Sequence, residues 1–247
     1  MTKVIGHRGA SADAPENTLS SVEEAFKQQA DGVEIDIRLS ADNKIICLHD
    51  KNTRRTTEES LLAQETSYEE LSKLDAGSWK GIKWKGEKIP LLRDVLSSSP
   101  SKKEVFIEIK VGVEIVEPLI LELSSSKRNL DTISIISFNP EVIKETKIIC
   151  KEVTANLLVC FDPEVNIEND LAESLHFLHA DGVGAQNHLK LDERFIQNIQ
   201  ATGKKVHVWT VNDIDEAKRY EELGIDSITT NKPKVIKKGL NKWNLKF

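Results

Sequence analysis

The sequence predicts a (β/α)8 barrel, and three observations predict it. Short β-branched runs alternate with helical stretches, the pattern of βαβ units and a parallel sheet. In the carboxyl half the order helix, glycine, strand repeats. The length, 247 residues, matches the usual size of such a barrel and suffices for a large core without staples.

The strands are expected at Val4–Gly6, Gly32–Leu39, Lys44–His49, Val105–Lys110, Thr132–Ser137, Val153–Cys160, Gly182–Gln186, Lys205–Val211 and Ser227–Thr230, read as about eight barrel strands. Between them lie helical stretches at Asn17–Ala30, Glu114–Ser126, Pro140–Cys150, Asp192–Thr202 and Asp213–Leu223. Asn139 caps a helix whose first turn holds Pro140. Gly203 and Gly224 stand where a helix stops before the next strand. Residues 51–90 contain no βαβ unit. They read as a polar insertion carrying Trp79 and Trp84 among lysines, within one domain spanning 1–247. This insertion suits a lid, a grip on a membrane or a packing cover over the barrel mouth.

Bulk properties exclude several functions. A formal net charge of −6 and a pI near 5.6 disfavour a nucleic-acid binder. No stretch approaches the roughly 20 apolar residues that a membrane span needs. The amino terminus shows no signal peptide, and Cys47, Cys150 and Cys160 lack a CxxC spacing or an even count. Each cysteine sits in an apolar run and reads as a small buried hydrophobe. The protein is expected to be soluble and cytoplasmic, without stable membrane insertion, acting on a small molecule. Homo-oligomerisation is left open.

Chemistry concentrates in two strands. Alternation in Val33–Leu39 places Val33, Ile35, Ile37 and Leu39 on one face and Glu34, Asp36 and Arg38 on the other. The outer face of a parallel barrel lies under helices and must be apolar, so the polar trio points inward. Two buried carboxylates so close need a cation or a proton between them. Alone, this segment fits a half-exposed edge strand equally well. The second strand, Val105–Lys110, repeats the alternation and delivers Glu108 and Lys110 late in the strand, at the end where barrels keep their chemistry. Three carboxylates suit a hard divalent cation, Mg2+ or Ca2+. No cluster of histidine and cysteine at zinc spacing is present. His7 and His49 each end an expected strand beside this acidic group and invite an acid–base pair. Arg8 and Lys110 supply cations for phosphate oxygens. Together these groups describe phosphoryl-ester chemistry better than carbonyl chemistry.

The ordered set His7-Arg8-Gly9, Pro15-Glu16-Asn17-Thr18, Glu34-Ile35-Asp36, His49-Asp50, Arg54 with Thr56-Thr57, Glu108-Ile109-Lys110 and Trp209-Thr210-Val211-Asn212 resembles the glycerophosphodiester phosphodiesterase family. The resemblance runs from His7 to Pro233. It implies a TIM barrel with a small insertion after the second histidine. Glu34, Asp36 and Glu108 would hold the metal, and His7 and His49 would exchange protons, His7 as base and His49 as acid. Arg8 and Lys110 would bind phosphate, Glu16 would support the site, and Trp209 would line the substrate pocket. The bland alternatives are a helix cap for Asn17 and core packing for Trp209. The implied reaction releases sn-glycerol 3-phosphate and an alcohol such as choline or ethanolamine. A lysophospholipase D and a non-catalytic phosphate-binding barrel are the alternatives. His176, His179 and His188 are expected at the surface, and His207 as a satisfied interior residue. Lys237 to Trp243 reads as a solvated terminal helix.

Overall fold

The computed structural model describes residues 2–161 and 167–244. Eight parallel strands close into a barrel: β1 (Lys3–His7), β2 (Gly32–Leu39), β4 (Glu104–Ile109), β5 (Ile133–Ser137), β6 (Thr154–Val159), β7 (Gly182–Gln186), β8 (Lys205–Trp209) and β9 (Ser227–Thr230). β1 pairs with both β2 and β9, which completes the ring. The period-2 pattern explains the sidedness. The outward residues Val33, Ile35 and Ile37 pack with Val105 and Ile107 under the helices, and Val183, Val206 and Val208 do so in the other half. Inward, Ile5, Phe106, Ile136 and Leu158 form an apolar plug with Trp209 against it.

The remaining strand, β3 (Ile45–Cys47), corrects the expectation for Lys44–His49. It pairs antiparallel with β2 and lies outside the ring. The five residues between Leu39 and Ile45 can form only a hairpin, because a parallel crossover needs a dozen or more. His49 therefore sits beyond a hairpin strand, not at the carboxyl end of a barrel strand.

Helices α1 (Leu19–Lys27), α4 (Val116–Ser125), α5 (Pro140–Ile149), α7 (Glu193–Gln200) and α8 (Ile214–Glu222) lie inside the expected stretches and end a residue or more short of them. Asn139 accepts from the Glu141 amide, with Pro140 at the first helical position. Gly203 and Gly224 take left-handed φ values of 76° and 74°. Besides the single helical turn in segment 51–90, two helices lie outside the expected stretches. In α3 (Leu92–Ser98), Leu92, Val95 and Leu96 are buried; in α6 (Ile167–Phe177), Leu171 and Leu175 are. The terminal α9 (Pro233–Asn244) buries Ile236 and Leu240, and Lys237 pairs with Asp31. Thr18, not Asn17, caps α1 by accepting from the Ser21 amide. Cys47 and Cys150 are buried, whereas Cys160, after the last residue of β6, is exposed because the chain leaves the sheet there.

Segment 51–90 holds 3-10 turns and the single-turn α2 (Tyr68–Leu71), whose capping box joins Ser67 and Glu70. It is not merely polar. Ala63, Leu71, Leu74, Ala76 and Ile89 form their own cluster against Ile46, Leu48 and Leu91. Trp79 is 42% exposed and Ile82 is 82% exposed. No helix among the described residues is long and apolar enough to cross a membrane.

Candidate active site

Register explains how the acidic residues meet. β2 and β4 pair with Asp36 opposite Glu108, so inward alternation brings Glu34, Asp36 and Glu108 together at the carboxyl end. Each offers one oxygen, and these oxygens lie within 4.8 Å of one another. All three residues are buried. Burial raises the Glu34 carboxyl well above its usual range, and the charges of Asp36 and Glu108 add to the rise. Glu108 is raised by burial and by Asp36. Glu34 Oε1 and Asp36 Oδ1 are buried without a hydrogen-bond partner. Acceptors left orphaned at such a cost fit a cation, and three hard oxygens fit a divalent one.

The chain after β1 is shaped around this cluster. Arg8 takes a left-handed φ of 54°, followed by Gly9 at 80°. The Arg8 amide donates to Glu34 Oε2 at 2.9 Å, its Nε lies 3.1 Å from Asp36 Oδ2, and its Nη1 donates to Glu16 Oε1 at 2.8 Å. A side chain at Gly9 would collide with Ser21, whose backbone oxygen would lie 2.5 Å from the added carbon. Lys110 Nζ donates to Glu108 Oε1 at 2.6 Å and lies 3.6 Å from Asp36 Oδ1.

His7 ends β1, as expected. Its Nδ1 lies 2.7 Å from Asn231 Oδ1, which also accepts from Ser11 Oγ at 2.9 Å. An amide oxygen only accepts, so Nδ1 carries the hydrogen and Nε2 keeps its lone pair, 3.9 Å from Glu34 Oε2. Burial and the neighbouring Arg8 lower the His7 pKa to about 4, which leaves the ring neutral. His49 reaches the same electrostatic field by another route. Arg38 Nε donates to the His49 carbonyl at 3.0 Å, and the Leu48 amide donates to the Asp36 carbonyl at 3.1 Å. Burial lowers the His49 pKa, against the opposing pull of Asp36 and of the Asp50 carboxylate 2.6 Å from Nδ1.

Several contacts of the site go beyond the roles expected from the sequence. Asn17, in the left-handed region at φ 58°, donates to Asp36 Oδ2 at 2.8 Å and accepts from the Asp36 amide at 3.1 Å. Arg55, rather than the exposed Arg54, grips Glu16 with Nη1 and Nη2 at 2.6 and 2.8 Å and Asp50 with Nε at 2.7 Å. Burial alone would raise Glu16, but Arg55 and Arg8 hold it at about 2. Asn231 follows the last strand and lies 224 residues from His7. Its position at a strand's carboxyl end, within the stretch Thr229-Thr230-Asn231-Lys232-Pro233 that closes the resemblance, is the signal that marks it.

Trp209 borders the cavity shared by His7, Glu34 and Glu108. Its indole N–H donates to the Gly184 carbonyl at 2.9 Å, and Phe138 meets its ring edge-on at 5.4 Å. His207 is only half satisfied, which corrects the expectation. Nδ1 pairs with Ser227 Oγ at 2.6 Å, while Nε2 has no hydrogen-bond partner. His207 pairs in register with Gly184 and lines the same cavity as Trp209. His176, His179 and His188 are exposed, as expected.

The geometry finds its counterparts in known proteins. YhdW of Bacillus subtilis is 32% identical over 239 residues, covering 94% of this chain and 96% of that protein. A glycerophosphodiester phosphodiesterase of Caldanaerobacter subterraneus is 29% identical over 95% of this chain and 96% of its own length. Among solved structures, an Oleispira antarctica phosphodiesterase in complex with the product sn-glycerol-3-phosphate superposes with a TM-score of 0.88 at 30% identity, covering 98% and 97% of the two chains. A Thermotoga maritima glycerophosphodiester phosphodiesterase gives 0.79 at 27% identity, over 96% and 98%. The profile of the glycerophosphoryl diester phosphodiesterase family matches residues 7–235, the stretch that begins at His7 and closes beyond Asn231. With its (β/α)8 barrel and an acidic cluster at the strands' carboxyl ends, the chain belongs to this family of phosphodiester hydrolases.

Proposed function

We propose that the chain, as one domain over 1–247, hydrolyses glycerophosphodiesters such as glycerophosphocholine or glycerophosphoethanolamine to sn-glycerol 3-phosphate and an alcohol. The observation that carries this reading is the pair of buried carboxylate oxygens without a hydrogen-bond partner, Glu34 Oε1 and Asp36 Oδ1, in the group that borders His7. Glu34, Asp36 and Glu108 would hold Mg2+ or Ca2+. When bound, such an ion offsets charge on the phosphoryl oxygens. Arg8 and Lys110 keep N–H donors beyond those engaged by carboxylates, and these bind the remaining phosphate oxygens.

His7 is the base. Asn231 holds its Nδ1–H, so Nε2 takes the proton of the glycerol 2-hydroxyl as that oxygen attacks phosphorus. The ester bond to the departing alcohol breaks, and its oxygen takes a proton from His49, whose imidazolium the Asp50 carboxylate stabilises. Water then opens the cyclic phosphate with the two roles reversed. Glu16 serves through Arg8, and Trp209 walls the pocket. The product seen with the Oleispira antarctica phosphodiesterase supports glycerol as the retained moiety. A soluble, cytoplasmic setting belongs to the same reading.

The test is release of sn-glycerol 3-phosphate from glycerophosphocholine, with and without chelator, by the wild-type chain and by His7→Ala and His49→Ala. Each variant is expected to lose about 10²- to 10⁴-fold in turnover. Undiminished turnover in either variant overturns the two-histidine mechanism.

A further inference from the structure

We infer that the face built by Trp79 and Ile82 with the lysines around them docks on an anionic lipid bilayer beside the barrel mouth. Two consecutive 3-10 turns, Ser78–Lys80 and Ile82–Trp84, hinge at Gly81 and present Ile82 to solvent at 82% exposure. This outward aim is built in. Asp75 accepts the backbone N–H groups of Gly77, Ser78 and Gly86 at 2.8 to 2.9 Å, which pins both ends of the turn. The Trp79 indole N–H is bound to the Ala76 carbonyl, leaving the rest of that ring partly in water.

The apolar groups interleave with cations. Lys83 and Lys85 flank Trp84 and are exposed, and the Lys83 ammonium stands 4.5 Å over the Trp84 ring. A cleft joins Lys83 and Trp84 to Lys232, Lys234 and the half-exposed Val235 at the start of α9. Asp13 and Glu24 also line this cleft, so its three lysines outnumber its carboxylates, and Lys85 adds to them. In a chain of net charge −6, cations collected around exposed isoleucine, tryptophan and valine mark an interfacial surface. Apolar side chains enter the boundary of the acyl chains while lysines meet lipid phosphates. Charge selects an anionic bilayer over a neutral one. The face also adjoins the site: Lys80 Nζ donates to the Ser11 carbonyl at 2.6 Å, Ser11 Oγ donates to Asn231, and Asn231 holds His7.

Co-sedimentation of the full chain with phosphatidylcholine vesicles, with and without added phosphatidylglycerol, tests the assignment. The chain is expected to sediment with the mixed vesicles only. Ile82→Asp is expected to weaken this at least about tenfold. Lys83→Gln and Lys234→Gln should each weaken it about fivefold, and added salt should weaken it further. These variants leave melting temperature and turnover of soluble glycerophosphocholine unchanged. Vesicle binding is read without turnover, so it stands or falls apart from the hydrolase reading. The assignment is overturned if the wild type does not sediment, if the variants bind as well, or if neutral vesicles bind equally. Self-association in light scattering that Ile82→Asp abolishes, without vesicle binding, would overturn it in favour of a second copy of the chain.

Discussion

Asn17 and Asp36 clasp each other through two hydrogen bonds, one from the Asn17 carboxamide to the Asp36 carboxylate and one from the Asp36 amide back to the Asn17 carbonyl oxygen. The first turns Asp36 so that its other oxygen, Oδ1, faces the acidic cluster without a hydrogen-bond partner. Asn17→Ala leaves Asp36 Oδ2 with only the Arg8 ion pair and leaves the buried Asp36 amide unsatisfied, at a cost of about 1–3 kcal/mol. Loss of such an orienting partner typically weakens metal affinity about 10- to 100-fold. Isothermal titration of Asn17→Ala with Mg2+ and Ca2+ checks this. Wild-type affinity in a folded variant would show that Asn17 is a local turn residue only.

The acidic cluster should contribute stability to the metal-free protein as pH falls below neutrality. Burial raises Glu34 and Glu108 above their unfolded values. A raised carboxyl contributes stability that is fully present below the unfolded value, about 4.5, and is lost as pH rises through the folded one. Glu16 and Asp50, each held at about 2, act the other way only in stronger acid, but His7 and His207, each lowered to about 4 by burial, and His49, also lowered, cost stability within this interval as pH falls. The contribution of the cluster is therefore read as a difference: compared with chelated Glu34→Gln, the chelated wild type is expected to gain more, or lose less, melting temperature from pH 8 to about pH 5. Divalent metal should stabilise it at pH 8. Glu34→Gln should flatten both responses while lowering turnover. Identical pH responses of the two chelated proteins over this interval contradict the account.

Arg55 supports the site through Glu16, and its geometry makes the prediction specific. The guanidinium binds both Glu16 oxygens and also Asp50, the partner of His49, so a single side chain spans the supports of Arg8 and of His49. A lysine cannot reproduce this fork. Arg55→Lys is expected to lower kcat/KM by on the order of tenfold, through a misplacement well below 1 Å. Its side chain is 44% exposed, so the melting temperature should hardly move. Unchanged kinetics would confine Arg55 to the surface.

The residues that sequence reasoning placed are those governed by a period. Glu34, Asp36 and Glu108 follow from alternation in strands whose other face must be apolar, and His7 follows from the end of β1. The partners it misjudged obey no period. Asn17 was read by the helix-cap rule, but Thr18 occupies the cap and frees Asn17 for a contact 19 residues away. Arg54 and Arg55 are neighbours in an aperiodic segment, where only the folded path decides which one turns inward. His49 was assigned to a barrel strand because Ile45–Cys47 is β-branched and apolar, although the short connection from Leu39 permitted only a hairpin. Asn231 and His7 meet only when the barrel closes between β9 and β1.

This closure supplies the last prediction. Asn231 accepts at its side-chain oxygen from His7 Nδ1 and Ser11 Oγ, and its backbone N–H donates to Asn212 Oδ1 at 2.9 Å. The Ser11 hydroxyl, donating to the same oxygen, holds the carboxamide with oxygen toward the imidazole, which fixes the tautomer whose Nε2 can accept a proton. Asn231→Ala leaves the ring with two equivalent tautomers and more rotational freedom. The substrate still meets the same acidic cluster, Arg8 and Lys110, so KM should change little, while kcat should fall by on the order of 10- to 100-fold. Asn231→Asp keeps an acceptor at the same place and should restore part of the loss, because a carboxylate also fixes Nδ1–H. Steady-state kinetics on glycerophosphocholine with both variants separates the cases. If Asn231→Ala raises KM and leaves kcat intact, Asn231 shapes the binding site and does not position the base.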